Sequence, residues 1–113
     1  MADVIDADRD TFRDLVAEGD VLVDVWGPDC KPCLQLMPHV EQLAADRESL
    51  RVVKVEAPKA RRLCMDLQVM GLPALLLFRD GEELGRLGGE ETTAAALRSW
   101  VERTLDGDPE EES

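Results

Sequence analysis

Apolar positions along the chain fall into two kinds of block. Val21-Leu22-Val23-Asp24-Val25-Trp26, Arg51–Glu56 and Ala74-Leu75-Leu76-Leu77-Phe78 are short runs rich in β-branched or aliphatic residues. Their length and composition predict buried strands. The other blocks repeat at three and four residues, the spacing of one helix face. Phe12, Leu15 and Val16 mark a helix capped by Asp8 or Asp10, running to about Glu18 and stopped by Gly19. Leu36, Met37, Val40, Leu43 and Ala44 mark a second, which Pro38 should kink by removing one hydrogen bond. After the Ala57-Pro58 break, a short helix is predicted over Ala60–Val69, with Leu63, Cys64 and Leu67 on or near one face. A last helix, from about Glu91 to Leu105, turns Leu97, Trp100, Val101 and Leu105 inward.

Turn signals join these blocks. Arg79-Asp80-Gly81-Glu82 centres a hairpin on Asp-Gly, Glu83–Leu87 returns as an edge strand, and Gly88-Gly89 turns the chain. Ala2–Ile5 is a candidate edge strand. Strand, helix, strand, helix, then a hairpin and a closing helix predict an α/β fold. Its mixed central sheet of about five strands is flanked by about four helices covering both faces. The early parallel crossover should be right-handed.

At 113 residues the chain suits one domain with a single core. Its net charge of −12 counts against nucleic-acid binding, which needs a basic footprint. Asp106, Asp108, Glu110, Glu111 and Glu112 crowd the C-terminus. Residues 1–105 are therefore expected to form the domain, and 106–113 an acidic, disordered tail. The body stays acidic without the tail, which suits either solubility or partners with a basic docking face. No run approaches the ~18 apolar residues of a membrane span. Met1–Ala17, with five Asp and two Arg, lacks the apolar core of a signal peptide. A cytoplasmic protein, with no membrane partner, is expected. Three cysteines are too few for a disulfide scaffold, and an odd count leaves a free thiol. In that compartment a Cys-x-x-Cys is redox-active or metal-binding rather than a staple.

Such a pair, Cys30-Lys31-Pro32-Cys33, follows Gly27-Pro28 at the point where the first strong strand ends and a helix begins. A helix N-terminus carries about half a positive charge and unpaired N–H groups, so it stabilises a thiolate, the reactive form of cysteine. Cys30 is the N-terminal, more exposed thiol and is assigned the attack on a substrate disulfide. Cys33, further into the helix, would resolve the mixed disulfide. Pro32, with no N–H and a fixed φ, suits the first turn and stiffens the pair. Asp24 is a carboxylate in an apolar run, where burial favours the neutral acid. Near Cys33 it could accept a proton in the resolving step.

Val23-Asp24-Val25-Trp26, the dithiol, Pro38, and Gly71-Leu72-Pro73 ahead of an apolar strand occur in that order over nearly the whole chain. In this the chain resembles the thioredoxins. The resemblance implies the thioredoxin fold and a dithiol–disulfide oxidoreductase that reduces protein disulfides without a bound cofactor. A thioredoxin reductase, drawing on NADPH or NADH through flavin, would recharge it, and a monomer is expected. It also implies that Lys54 faces Asp24 and tunes proton movement near Cys33; a lysine snorkelling from a strand edge is the other reading. Pro73 is expected in the cis form, with the Leu72 peptide N–H and C=O offered to an extended substrate segment. Trp26, Gly27, Lys31 and Pro32 around the dithiol, with Leu72, Pro73 and Gly89, complete the expected substrate contacts.

The dithiol differs from the usual Trp-Cys-Gly-Pro-Cys. Lys31 favours the Cys30 thiolate and Asp29 opposes it. Trp26–Leu34 with Leu36-Met37-Pro38 also resembles thioredoxins of anaerobes associated with glycine reductase. Two further readings are a donor dedicated to one reductase and a thioredoxin-fold protein-binding subunit with little turnover. Trp26 is either core or a shield beneath the dithiol, Trp100 core, and Gly89 a turn residue or a point of close substrate approach. Cys64 reads as core, with a regulatory or intermolecular thiol as the alternative. A Cys30, Cys33, His39 and Cys64 zinc site lacks a second closely spaced ligand pair, so no metal is assigned.

Overall fold

The alternation of side chains along a central strand organises the molecule. In the computed structural model, which describes residues 4–89 and 92–107, that strand is β2 (Asp20–Trp26). Val21, Val23 and Val25 face one side and pack with Phe12, Leu63, Leu67 and Phe78. Leu22 faces the other and packs with Leu36, Val40, Leu43, Leu97 and Val101. Successive strand residues point to opposite faces, so Asp24 and Trp26 share the face of Leu22.

Around β2 lie β1 (Val4–Asp6), β3 (Leu50–Glu56), β4 (Ala74–Arg79) and β5 (Glu82–Gly88), in the spatial order β1-β3-β2-β4-β5. β3 runs parallel to both β1 and β2, while β4 is antiparallel to β2 and β5 to β4. Helices α1 (Phe12–Leu15) and α3 (Arg61–Asp66) contribute to one core layer, and α2 (Lys31–Asp46) and α4 (Ala94–Asp106) to the other. This is the expected mixed five-stranded sheet with four helices. The β4–β5 hairpin closes through Asp80 and Gly81 at φ +53° and +87°. Positive φ at both central residues matches the right-handed twist of the strands.

Element ends differ from the sequence reading. α1 is a single turn ending at Leu15, and the chain then bends through Gly19 at φ +75° into β2. Asp8 caps the turn ahead of it, its Oδ1 accepting the N–H of Asp10 and Thr11 at 3.0 Å each. Ala57–Lys59 forms a 3-10 turn, and α3 stops at Asp66 because Gln68 adopts φ +58°. α4 starts at Ala94 because Thr93 caps it, accepting the Ala96 N–H at 3.1 Å. α2 continues through Pro38 to Asp46. Asp106, placed with the tail by sequence, closes α4 and pairs with Arg47 at 2.7 Å. Ala2, the expected helix start at Glu91, and residues 108–113 lie outside the described residues. Among the described residues no helix is long and apolar enough to cross a membrane.

Candidate active site

Both thiols are held by the junction of β2 and α2. The Gly27 carbonyl accepts the Cys30 N–H at 3.1 Å, and Cys30, in extended conformation, is the N-cap of α2. Its sulfur accepts the Cys33 N–H at 3.2 Å, and its carbonyl accepts the Leu34 N–H at 3.1 Å. Pro32 sits in the first turn, where its missing N–H costs nothing. Cys30 and Cys33 are joined in a disulfide, with Cα atoms 5.2 Å apart. Cys33 is 1% exposed and Cys30 is half-buried. The reachable sulfur is therefore the one at the helix end with an N–H aimed at it, which is what a thiolate requires.

Beneath the junction, Asp24 is 2% exposed and its Oδ2 has no hydrogen-bond partner. Burial pushes its carboxyl up to about 6; the Lys54 charge pulls it down and Glu41 adds a smaller upward push. Asp24 and Lys54 are register partners on the parallel strands β2 and β3. No salt bridge joins them among the described residues, so the pairing is through-space rather than direct. The Lys54 ammonium instead donates to Met37 Sδ at 3.2 Å and lies 5.4 Å from the Trp26 ring centroid. A long stem carries that charge past the short carboxylate. Trp26 is half-buried and its Nε1 is unpartnered.

Opposite the dithiol loop, the Leu72–Pro73 peptide is cis and Pro73 is buried. Leu72 Cδ1 would stand 3.2 Å from a Cβ on Gly27, so Gly27 lets Leu72 approach the loop. The Leu72 N–H and C=O take no part in the backbone hydrogen bonds of the described residues. The Pro73 carbonyl accepts the Gly89 N–H at 3.4 Å, and Gly89 has φ +85° with open space around it. Lys31 and Pro32 are exposed on the first turn of α2.

Sequence reasoning missed two supporting residues. Gly88 lies so close to the Pro73 carbonyl that a Cβ there would stand at 3.0 Å. Arg86 grips Glu83 at 2.6 and 2.9 Å and donates to the Leu67 and Gln68 carbonyls at 2.8 and 3.2 Å. It thereby ties the start of the Gln68–Pro73 segment to β5. The Glu83/Arg86 spacing was the available signal, but the carbonyls it reaches are distant in sequence. Trp100 is core, as is Cys64, whose thiol burial pushes upward; His39 is exposed. Among the described residues no group of His, Cys, Asp or Glu could hold a metal ion.

Residues 3–103 match the family Thioredoxin. The chain is 36% identical over 105 residues to a thioredoxin of Acetoanaerobium sticklandii, covering 90% of this chain and 100% of that protein. It is 37% identical over 101 residues to a thioredoxin of Peptoclostridium acidaminophilum, covering 87% and 92%. In three dimensions it resembles a mutant thioredoxin from Halobacterium salinarum, with TM-score 0.82, 28% identity and 91% of each chain covered. Mitochondrial thioredoxin 3 of Saccharomyces cerevisiae shares the fold, with TM-score 0.80, 22% identity, and 88% and 93% coverage.

Proposed function

This chain belongs to the thioredoxin family and is a dithiol–disulfide oxidoreductase built on Cys30 and Cys33, and from that premise we propose the part each site residue takes. In the reduced protein, the Cys30 thiolate attacks one sulfur of a substrate protein disulfide. A mixed disulfide forms and the substrate's other sulfur leaves as thiolate. Cys33, on losing its proton, attacks Cys30 Sγ, restores the Cys30–Cys33 disulfide and releases the second substrate sulfur. Two electrons pass from the protein dithiol to the substrate. Asp24, with its carboxyl near 6, takes the Cys33 proton. Lys54, by its charge, keeps that acid from rising further.

The observation that carries this reading is the unequal burial of two bonded sulfurs at the N-terminus of α2, with the Cys33 N–H donated to the outer one. The free Leu72 peptide groups support strand-like addition of substrate beside the dithiol, and the open turn at Gly89 leaves room for its chain. Trp26, Gly27, Lys31, Pro32 and Pro73 frame that approach. A flavin-dependent reductase using NADPH or NADH recharges the protein in the cytoplasm, where it acts as a monomer on disulfide-containing proteins. Neither a donor dedicated to one reductase nor a binding subunit with an idle dithiol is favoured.

Equilibration across a dithiothreitol redox ladder, followed by acid quench and alkylation in denaturant, tests this. The three cysteines should give three adducts when reduced and one when oxidised, with Cys30 and Cys33 titrating together as a two-electron pair. Two thiols that never pair would remove the activity and leave only the fold.

A further inference from the structure

An apolar groove beside the dithiol loop carries a cation with no ion pair among the described residues, and its charge is opposite to that of the molecule. A cavity of about 330 Å³ is walled by Pro58, Arg61, Cys64, Met70 and Leu72, among others. It reaches the dithiol loop, because Leu72 and Pro58 are the side chains a Cβ on Gly27 would meet, at 3.2 and 3.9 Å. Met70, 96% exposed, stands at the boundary with a second cavity of about 340 Å³ that continues past Pro73 to Gly89. Among the described residues no carboxylate lines either cavity, although the chain has 25 acidic residues against 13 basic ones.

The cations in the two walls differ. Arg86 is committed to Glu83 and to the Leu67 and Gln68 carbonyls. Arg61 is exposed and has no ion pair among the described residues. Arg47, Arg79 and Arg98 are by contrast each held by an aspartate at 2.7–2.9 Å. Asp29, the acid next to Cys30, lines neither cavity.

We propose that the Arg61–Met70–Leu72 groove selects substrates whose chain near the attacked disulfide carries an apolar residue and a carboxylate. Met70 and Leu72 take the apolar side chain and Arg61 the carboxylate. The inference rests on the oxidoreductase reading and adds a substrate class to it. The acidic body repels such a chain at long range, but charges more than about 8 Å apart are largely screened at 0.15 M salt. Short-range contacts survive, and the Arg61 variant separates its own from that of Lys31 beside Cys30.

Three disulfide peptides, identical except for Glu, Gln or Lys at the positions within four residues of the cystine, are reduced by the pre-reduced protein at 0.15 M salt. The second-order rates should follow Glu > Gln > Lys, with about two- to fivefold between neighbours, the worth of an exposed ion pair. Arg61→Glu should invert the Glu/Lys rate ratio. Arg62→Glu, the same charge change at an adjacent exposed residue outside both cavities, should leave the ratio close to the wild type's. Equal rates for the three peptides, an Arg61→Glu ratio unchanged from wild type, or an equal inversion by Arg62→Glu each overturns the proposal while leaving the oxidoreductase reading intact. Failure to reduce even the Gln peptide overturns that reading, and the proposal with it.

Discussion

Asp24→Asn should gain stability relative to the wild type as pH rises. The carboxyl is 2% exposed, lacks a partner on Oδ2, and is pushed by burial from the ordinary 3.8 up to about 6. Between those values the folded protein binds a proton that the unfolded chain has released. Stability therefore falls as pH rises through this window, and is fully retained only below the unfolded value. At about 1.4 kcal/mol per pH unit, the gap between 3.8 and about 6 puts about 3 kcal/mol on ionising Asp24 in the fold. Asn keeps the size and polarity of the neutral acid but cannot ionise. Whatever the buried amide costs is independent of pH and cancels when the stability difference at one pH is subtracted from that at another.

Urea unfolding of the two oxidised proteins, followed by tryptophan fluorescence from about pH 3.5 to pH 8, reads this directly. The advantage of Asp24→Asn over wild type should grow by about 3 kcal/mol across the range, with its steepest change between about pH 4 and pH 6. Keeping the Cys30–Cys33 disulfide closed removes those two thiols from the titration, and Cys64 and His39 are common to both proteins. A difference that stays flat within about 0.5 kcal/mol would refute the reasoning. Asp24 would then be ionised at ordinary pH without penalty, and could not serve as a proton acceptor poised near neutrality.

Cys30→Ser should abolish turnover, whereas Cys33→Ser should accumulate mixed disulfides with substrate, seen as covalent adducts by non-reducing mass analysis. Normal turnover by Cys33→Ser would reverse the attacker and resolver roles. Lys54→Met removes the charge that holds Asp24 down, so the upper end of the pH window over which stability falls should move above about 6. An unchanged upper end would show that the ammonium, resting on Met37 and Trp26, does not reach Asp24 electrostatically. Gly88→Ala sets a Cβ 3.0 Å from the Pro73 carbonyl and should cost about 1–3 kcal/mol in urea unfolding while raising KM for peptide disulfides. A variant with wild-type stability and KM would show that the backbone there yields freely.

How much of this was legible depends on whether a feature is set by local pattern or by the partner brought to it. β2 and β4 were readable because they are buried on both faces, and a run of Val and Leu has no other use at that length. The dithiol's place followed from the same break, since Gly27-Pro28 ends one periodicity and Cys30 caps the next. Helix ends were less readable. Gln68 adopts a left-handed φ that its side chain does not advertise, and the Thr93 cap that opens α4 at Ala94 was not singled out from the sequence. Asp24 announced itself as a charge in an apolar run, but its environment did not. The strand pleat sets it and Lys54 on the α2 side, while the length of the lysine stem carries the ammonium to Met37. The approach of Gly88 to Pro73, and the reach of Arg86 to Leu67 and Gln68, depend on the β4–β5 register, including its shift between Leu77 and Phe78. The sulfur chemistry is thus written in one contiguous stretch, whereas the surface proposed to choose the substrate is assembled from α3, the Met70–Pro73 segment and the end of β5. Two chains with the same Cys-x-x-Cys can therefore run the same exchange and still differ in what they reduce, and in this chain residue 61 is where that difference is open to test.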